Sequence, residues 1–310
     1  MRRIVVFGAT GEIGGRIARG CVEAGHTVFG ISRGQNQRHI PDLEGVQMVY
    51  GDRSDETFLR ETVAALEFDT LIDSVPNIDS VRRYAQYFPN VKNVLLCGST
   101  GVYVPLKYLP ADENHPWQED TGVNFYRQSQ RDAFALELWE KEKFPVTIFQ
   151  PTNIIGPGRV PLELWGGRNI AFFRQLKAGK DLFIPDCKNI LLQSGYNEDL
   201  AGAFVSALNA SEDIRGERFI ISCRRAITLG QYLQTAVDFL ESRSKIEVVS
   251  TEKLMELFPD IQWEARLEFL LEHMCFDIRK AEKFFNYQPQ KTAKDGLRAA
   301  LGWCVESGLL

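Results

Sequence analysis

Apolar and polar positions fall in short alternating blocks along the first half of the chain. Ile4, Val5, Val6 and Phe7 form an unbroken apolar run closed by Gly8. A run of this length, ended by a turn residue, predicts a strand over 3–7 buried on both faces. Beyond the turn, Ile13, Ile17 and Cys21 recur at helical spacing and predict a helix over 13–24. The same reading predicts strands at Thr27–Ser32 and Val46–Tyr50 and a helix near 55–66. Strands at Asp69–Ser74 and Val91–Cys97, a helix over about 125–142 and a strand at Val146–Gln150 follow. Strand–helix alternation of this kind predicts an α/β fold around a doubly wound parallel sheet. The stretch 105–122 reads as loop, with Pro105, Pro110, Pro116 and Gly122. Pro157-Gly158 and Pro161 mark a second break, after which the pattern is mainly helical and predicts a smaller C-terminal lobe.

The first turn carries chemistry. Gly8, Gly11 and Gly14 stand three apart between the first strand and the first helix. Glycines there let backbone approach a pyrophosphate, and the helix N-terminus supplies free N–H groups and the positive end of a dipole. The strand before and the helix after are the context this motif requires. The expected organisation is a dinucleotide-binding Rossmann domain over 1–155, with 190–225 returning to it. Residues 156–189 and 226–310 would form the substrate lobe.

NAD sites of this kind place a carboxylate about 20 residues past the glycines, on the ribose 2′-hydroxyl. Here that place reads Gly30-Ile31-Ser32-Arg33-Gly34, and no carboxylate precedes Asp42. Ser32 and Arg33 suit a 2′-phosphate, since a guanidinium grips phosphate with two hydrogen bonds. The other reading of Arg33 is a solvated loop residue. The missing carboxylate favours NADP over NAD. Glu12 lies inside the turn, where an inward carboxylate would oppose phosphate.

Composition narrows the class. Of the 310 residues, 44% are hydrophobic and 25% charged, the balance of a soluble globular protein. The net charge of −5 argues against a broad nucleic-acid or membrane surface, so a nucleic-acid partner is not expected. No run approaches transmembrane length, and the N-terminal apolar run reads as a strand rather than a signal peptide. Six scattered cysteines without a C-x-x-C pair predict free thiols in a reducing cytosol, hence a cytoplasmic protein. The four histidines make no metal-ligand spacing with them, and no metal site is expected.

Further segments are similar to one known family. Gly51-Asp52-Arg53-Ser54-Asp55 follows the third strand. Cys97-Gly98-Ser99-Thr100-Gly101-Val102-Tyr103 is followed by Tyr126, 27 residues after Ser99. Gln150-Pro151-Thr152-Asn153 runs into Ile154-Ile155-Gly156-Pro157-Gly158. Tyr196-Asn197-Glu198-Asp199-Leu200-Ala201 and Phe276-Asp277-Ile278-Arg279-Lys280-Ala281 complete the set, in order, over nearly the whole chain. The chain resembles an extended, atypical short-chain dehydrogenase/reductase of the NAD(P)-dependent epimerase/dehydratase type. The resemblance implies cofactor contacts from Gly8, Thr10, Gly11, Glu12, Ile13, Gly14, Ser32, Arg33 and Asp52. Asp52 reads equally well as a helix N-cap. It implies Ser99 and Tyr126 as catalytic residues. Thr100, Asn153, Arg159 and Arg168 would touch a substrate such as a nucleotide sugar, although either arginine also reads as surface charge. A homodimer through helices near 80–90 and 125–142 is the family's usual assembly.

One departure matters. The family pairs its Tyr with a Lys four residues on, whose charge lowers a phenol pKa that is otherwise about 10. Here that position is Gln130, which carries no charge but still suits a ribose hydroxyl. Arg127 and Arg131 flank the pair on other helix faces. Thr100 and Gly101 stand where related 4,6-dehydratases carry Asp-Glu, so elimination is not expected and epimerisation or carbonyl reduction is. The alternative is a redox-weak, NAD(P)-binding protein that engages RNA, since the Ser99–Tyr103 segment and the missing Lys also resemble the chloroplast stem-loop-binding proteins.

Overall fold

The computed structural model describes residues 1–35, 42–122, 124–210, 213–259 and 264–310. The first half contains β1 (Arg3–Phe7), α1 (Glu12–Glu23), β2 (Thr27–Ser32), β3 (Val46–Tyr50), β4 (Thr70–Asp73), α2 (Ile78–Tyr87), β5 (Asn93–Cys97), α3 (Tyr126–Glu142) and β6 (Val146–Pro151). There follow β7 (Asn153–Ile155), α4 (Ile170–Lys177), β8 (Leu182–Ile184), β9 (Leu191–Leu192), β10 (Ser194–Tyr196), α5 (Asn197–Ala207) and β11 (Arg218–Ile221). The chain ends with β12 (Ile227–Thr228), α6 (Leu229–Phe239), β13 (Ile246–Val248), α7 (Thr251–Leu257), α8 (Glu264–Leu270), α9 (Arg279–Phe285) and α10 (Ala293–Glu306).

Seven strands make one parallel sheet in the order β3-β2-β1-β4-β5-β6-β11. This is the doubly wound Rossmann arrangement, and the order reverses between β1 and β4, where such sheets open a crevice. Each face of β1 serves a different core. Ile4 and Val6 pack with Ile13, Ile17 and Cys21 of α1 and with Phe204 of α5. Val5 and Phe7 pack with Val81 and Tyr84 of α2 and with Ala135 and Leu138 of α3. Phe7 and Tyr84 stack at 5.1 Å between centroids. The unbroken apolar run is thus explained by burial on both sides.

The helix expected near 55–66 is different. A π-helical turn over Phe58–Val63 passes into a 3-10 turn over Ala64–Leu66. Leu59 and Val63, four apart, both reach the second core. The expected strand at Asp69–Ser74 is Thr70–Asp73, and that at Val91–Cys97 begins at Asn93.

Beyond β7 the lobe is mainly helical, with short strand pairs β7–β10, β8–β13 and β9–β12. The last quarter of the chain is shared between the lobe and the sheet. Phe285 of α9 packs against Phe149 of β6 and Phe219 of β11. Among the described residues, no helix is long and apolar enough to cross a membrane, and no group of three His, Cys, Asp or Glu side chains is placed to hold a metal. All six cysteines are unpaired.

A buried polar chain joins the layers at the C-terminal end of the sheet. Tyr103 donates to Gln150 Oε1 at 2.6 Å, and Gln150 Nε2 donates to Asp132 Oδ2 at 3.1 Å. Arg131 donates from Nε to Asp132 Oδ1 at 2.8 Å and from Nη1 to the Pro76 carbonyl at 3.1 Å. Burial pushes the Asp132 carboxyl above its usual range, and the Arg131 charge opposes that push. Asp132→Ala would leave the Arg131 guanidinium buried without a counter-charge, and denaturant titration is expected to show a loss of about 3–5 kcal/mol. Replacing Arg131 and Asp132 together by Met and Leu should be much milder.

Candidate active site

The glycine turn is built by close backbone approach. Gly8 sits at φ +76°, in the left-handed region, and a Cβ there would lie 2.4 Å from Ser74 Oγ beyond β4. The Gly11 N–H closes the turn on the Gly8 carbonyl at 2.8 Å. A Cβ on Gly14 would lie 2.2 Å from that same carbonyl oxygen. Gly11 caps α1 without a side-chain acceptor, so the first N–H groups of the helix stay open at its positive end.

A cleft of about 700 Å³ opens over this turn. All nine residues expected at the nucleotide, from Gly8 in the turn to Asp52 after β3, line it, and Arg159 joins them from the loop beyond β7. Thr10 Oγ1 and Ser32 Oγ share a hydrogen bond at 2.7 Å, tying the turn to the end of β2. Arg33 is exposed on the cleft. Asp52 accepts from the Ser54 N–H and hydroxyl at 2.8 and 2.7 Å. Those hydrogen bonds, then the nearby charges of Arg33 and Arg53, hold its carboxyl below the usual range. Asp52 therefore lines the cleft and caps its own turn at once. Glycines that admit close backbone approach, open helix N–H groups and this volume fit a dinucleotide.

Sequence reasoning missed a buried carboxylate behind the lining of the cleft. Asp73, the last residue of β4, accepts from Arg53 Nη1 at 3.0 Å, Tyr84 Oη at 2.9 Å, Ser80 Oγ at 3.3 Å and the Val75 N–H at 2.9 Å. Burial drives its pKa upward and the Arg53 charge draws it back. Arg53 and Ser80 both line the cleft. The available signal was an Asp closing the otherwise apolar Leu71-Ile72 run.

The stretch Ser99–Tyr103 follows the end of β5. Ser99 caps the 3-10 turn Thr100–Tyr103, its hydroxyl accepting from the Gly101 N–H at 3.1 Å. The Phe125 N–H donates to the Gly101 carbonyl at 3.3 Å, which seats the start of α3 on this turn. Tyr126, the first residue of α3, is half-buried, and Gln130 is exposed. Thr100 is buried, with its hydroxyl directed to the Pro151 carbonyl at 3.4 Å. Arg131 turns inward, with Nη2 3.2 Å from where a Cβ on Gly98 would sit. These residues do not line the nucleotide cleft. The Phe125 ring occupies the space a side chain at 101 would need, since a Cβ there would lie 1.6 Å from its Cδ2. The ring also meets Phe269 of α8 edge-on at 5.6 Å.

Asn153 and Arg168 are brought together but held by protein. Asn153 Nδ2 donates to Ser194 Oγ at 2.8 Å, and its Oδ1 accepts from Arg168 Nη2 at 2.9 Å. Arg168 also donates to the Val160 and Ile154 carbonyls. Burial first, then the neighbouring Arg159 charge, lowers its pKa to about 10.

A doubly wound sheet with an open glycine turn at its switch point defines a dinucleotide-binding protein. The chain belongs to the NAD dependent epimerase/dehydratase family, whose model matches residues 4–222. It is 26% identical over 312 residues to the chloroplast stem-loop binding protein of 41 kDa b of Arabidopsis thaliana, covering 96% of this chain and 77% of that one. It is 25% identical over 320 residues to the sterol demethylase protein B of Methylococcus capsulatus, covering 95% and 89%. Among solved structures, an epimerase from Methanothermobacter thermautotrophicus superposes with a TM-score of 0.78 at 18% identity, covering 99% and 93%. A UDP-glucuronic acid 4-epimerase from Bacillus cereus, in complex with UDP-glucuronic acid and NAD, gives 0.78 at 16%, covering 98% and 99%. At these identities the structural likeness is one of fold.

The packing of Phe125 on Gly101 yields a direct test. Gly101→Ala is expected to destabilise the protein by about 1–3 kcal/mol through overpacking. Adding Phe125→Ala should recover part of that loss, as read from paired denaturation curves.

Proposed function

We propose that the chain binds NADP(H) in the cleft and epimerises or reduces a nucleotide-sugar-like substrate, with Tyr126 moving the proton. The observation that carries this reading is the cleft itself, lined by the open turn of α1 and by Arg33. A bound nicotinamide would supply hydride exchange. The phenol of Tyr126 would take the proton from a substrate hydroxyl or return it to a carbonyl, and Ser99 would hydrogen-bond the same oxygen. Gln130, four residues along α3, would hold a ribose hydroxyl without lending charge to the phenol. Asn153, Arg159 and Arg168 would form the substrate side. Thr100 and Gly101 offer no carboxylate for elimination. A homodimer through α2 and α3 and a cytoplasmic setting complete the reading.

The preference for NADP rests on Ser32-Arg33 standing where a carboxylate would select the 2′-hydroxyl. Calorimetry should show tighter binding of NADP(H) than NAD(H). Arg33→Ala should weaken NADP(H) by about 1–3 kcal/mol and leave NAD(H) nearly unchanged. Equal affinity for both cofactors in the wild type would make Arg33 a solvated residue.

A second reading has its own support. Gln130 removes the charge that usually activates the phenol, and the plant relative is named for binding a stem-loop. In this reading the chain keeps the nucleotide cleft, loses most redox chemistry and engages RNA. The two separate in a pH–rate profile on a substrate found by screening nucleotide sugars. Gln130→Lys should move the profile to lower pH, each unit of lowered phenol pKa corresponding to about 1.4 kcal/mol between its protonation states. Tyr126→Phe should abolish turnover in both backgrounds. Turnover untouched by Tyr126→Phe, together with salt-dependent RNA retention in a gel shift, would favour the second reading.

A further inference from the structure

Two oppositely charged side chains face each other across the nucleotide cleft. Glu12 comes from the first turn of α1, beside the open N–H groups, and Arg159 from the loop after β7. Both line the cleft. Arg159 Nη1 stands 3.6 Å from Glu12 Oε2, too long for a direct hydrogen bond, and Arg159 is half exposed. Glu12 Oε1 accepts from Asn197 Nδ2 at 3.4 Å. The carboxylate therefore points away from the helix axis, toward groups from the C-terminal half of the chain.

The loop that presents Arg159 is held by two side chains that share one carbonyl. Arg16, buried in α1, donates to the Pro157 carbonyl at 2.9 Å, to the Glu12 carbonyl at 2.8 Å and to Glu198 at 2.9 Å. Asn197 donates to the same Pro157 carbonyl at 2.9 Å. Gly156 sits at φ +144°, and a Cβ there would lie 2.3 Å from Asn197 Oδ1. Rigid backbone thus delivers a loosely held guanidinium to the edge of an anion-binding helix terminus. Half-buried Arg168, held by Asn153 and by the Val160 and Ile154 carbonyls, adds positive charge nearby.

We infer that Arg159 is a ligand of the cofactor pyrophosphate, and that Glu12 is its resting counter-ion. An entering pyrophosphate competes with Glu12 for the guanidinium. Arg159 then neutralises phosphate charge that the helix N–H groups alone meet by hydrogen bonding, and Glu12 remains on Asn197. The exchange explains how a carboxylate is tolerated inside the glycine turn. It also moves Arg159 from the substrate side, where the family resemblance places it, to the cofactor.

This inference rests on the reading of the cleft as an NADP(H) site, and calorimetry with NADPH and with 2′-AMP separates the two. 2′-AMP has the adenine and ribose phosphate but no pyrophosphate. Arg159→Ala is expected to weaken NADPH by about tenfold or more, the effect of a lost charge-assisted hydrogen bond. It should leave 2′-AMP unchanged. Glu12→Gln should tighten NADPH severalfold, and that gain should largely vanish in the Arg159→Ala background. A wild type that binds neither NADPH nor NAD would overturn the cofactor reading and this one with it. Wild-type binding left unmoved by Arg159→Ala would overturn the inference alone. So would a Glu12→Gln gain of equal size in both backgrounds, which would mean direct repulsion of phosphate rather than competition for Arg159. Equal weakening of 2′-AMP and NADPH by Arg159→Ala would place the contact at the ribose end and would also overturn it.

Discussion

The cleft depends on how closely the backbone of Gly14 lies on the carbonyl oxygen of Gly8. A single methyl at position 14 would sit 2.2 Å from that oxygen. Because it is absent, α1 starts directly against the end of β1 and its open N–H groups face the crevice. The same contact sets the height of α1 on the sheet, and so the depth at which Ile13 and Ile17 enter the core. Arg16, on the next turn of that helix, then fixes the Pro157 loop. The cleft and the Pro157 loop are thus both positioned from α1.

Charge near the groove is handled in pairs. Asp73 lies fully buried beneath Arg53, and Asp132 beneath Arg131. Glu198 takes Arg16 and Arg19 together. Each pair places a guanidinium close to where strands end, while its carboxylate prevents an unpaired buried charge. Arg131 is thus bound to Asp132 and to the Pro76 carbonyl, a crossbar between α3 and the loop after β4. Its position beside Gly98 comes with a local counter-charge on Asp132.

Much of the fold was legible because each central strand is a short apolar run that ends in a turn residue. α2 was harder to read in order, since only Val81 and Tyr84 stand buried and apolar on an otherwise polar helix. Leu59 and Val63 suit an ordinary helix face, and nothing in their spacing announces a π turn. The glycine turn, Arg33 after β2 and Asp52 after β3 could be placed on one cleft from sequence because each sits next to a readable strand end. Asp73 was not, because a carboxylate at the end of a strand looks like the start of a loop until Tyr84 and Arg53 are brought over it. Arg131 looks solvent-facing on a helix wheel and is buried because Asp132, itself held by Gln150, and the Pro76 carbonyl accept from it. The meeting of Phe125 with Gly101 is wholly tertiary, between residues of different elements.

That last contact constrains how the site can change over generations. The ring of Phe125 and a side chain at 101 exclude each other, so the two positions form one unit of inheritance. A carboxylate arriving at 101 first would have to push that ring out of its place. Position 125 must become small beforehand, in a step that loosens the edge-on contact with Phe269 and gains no chemistry. The way from this pair to one with a longer side chain at 101 therefore passes through an intermediate that has given up a packed ring and put nothing in its place.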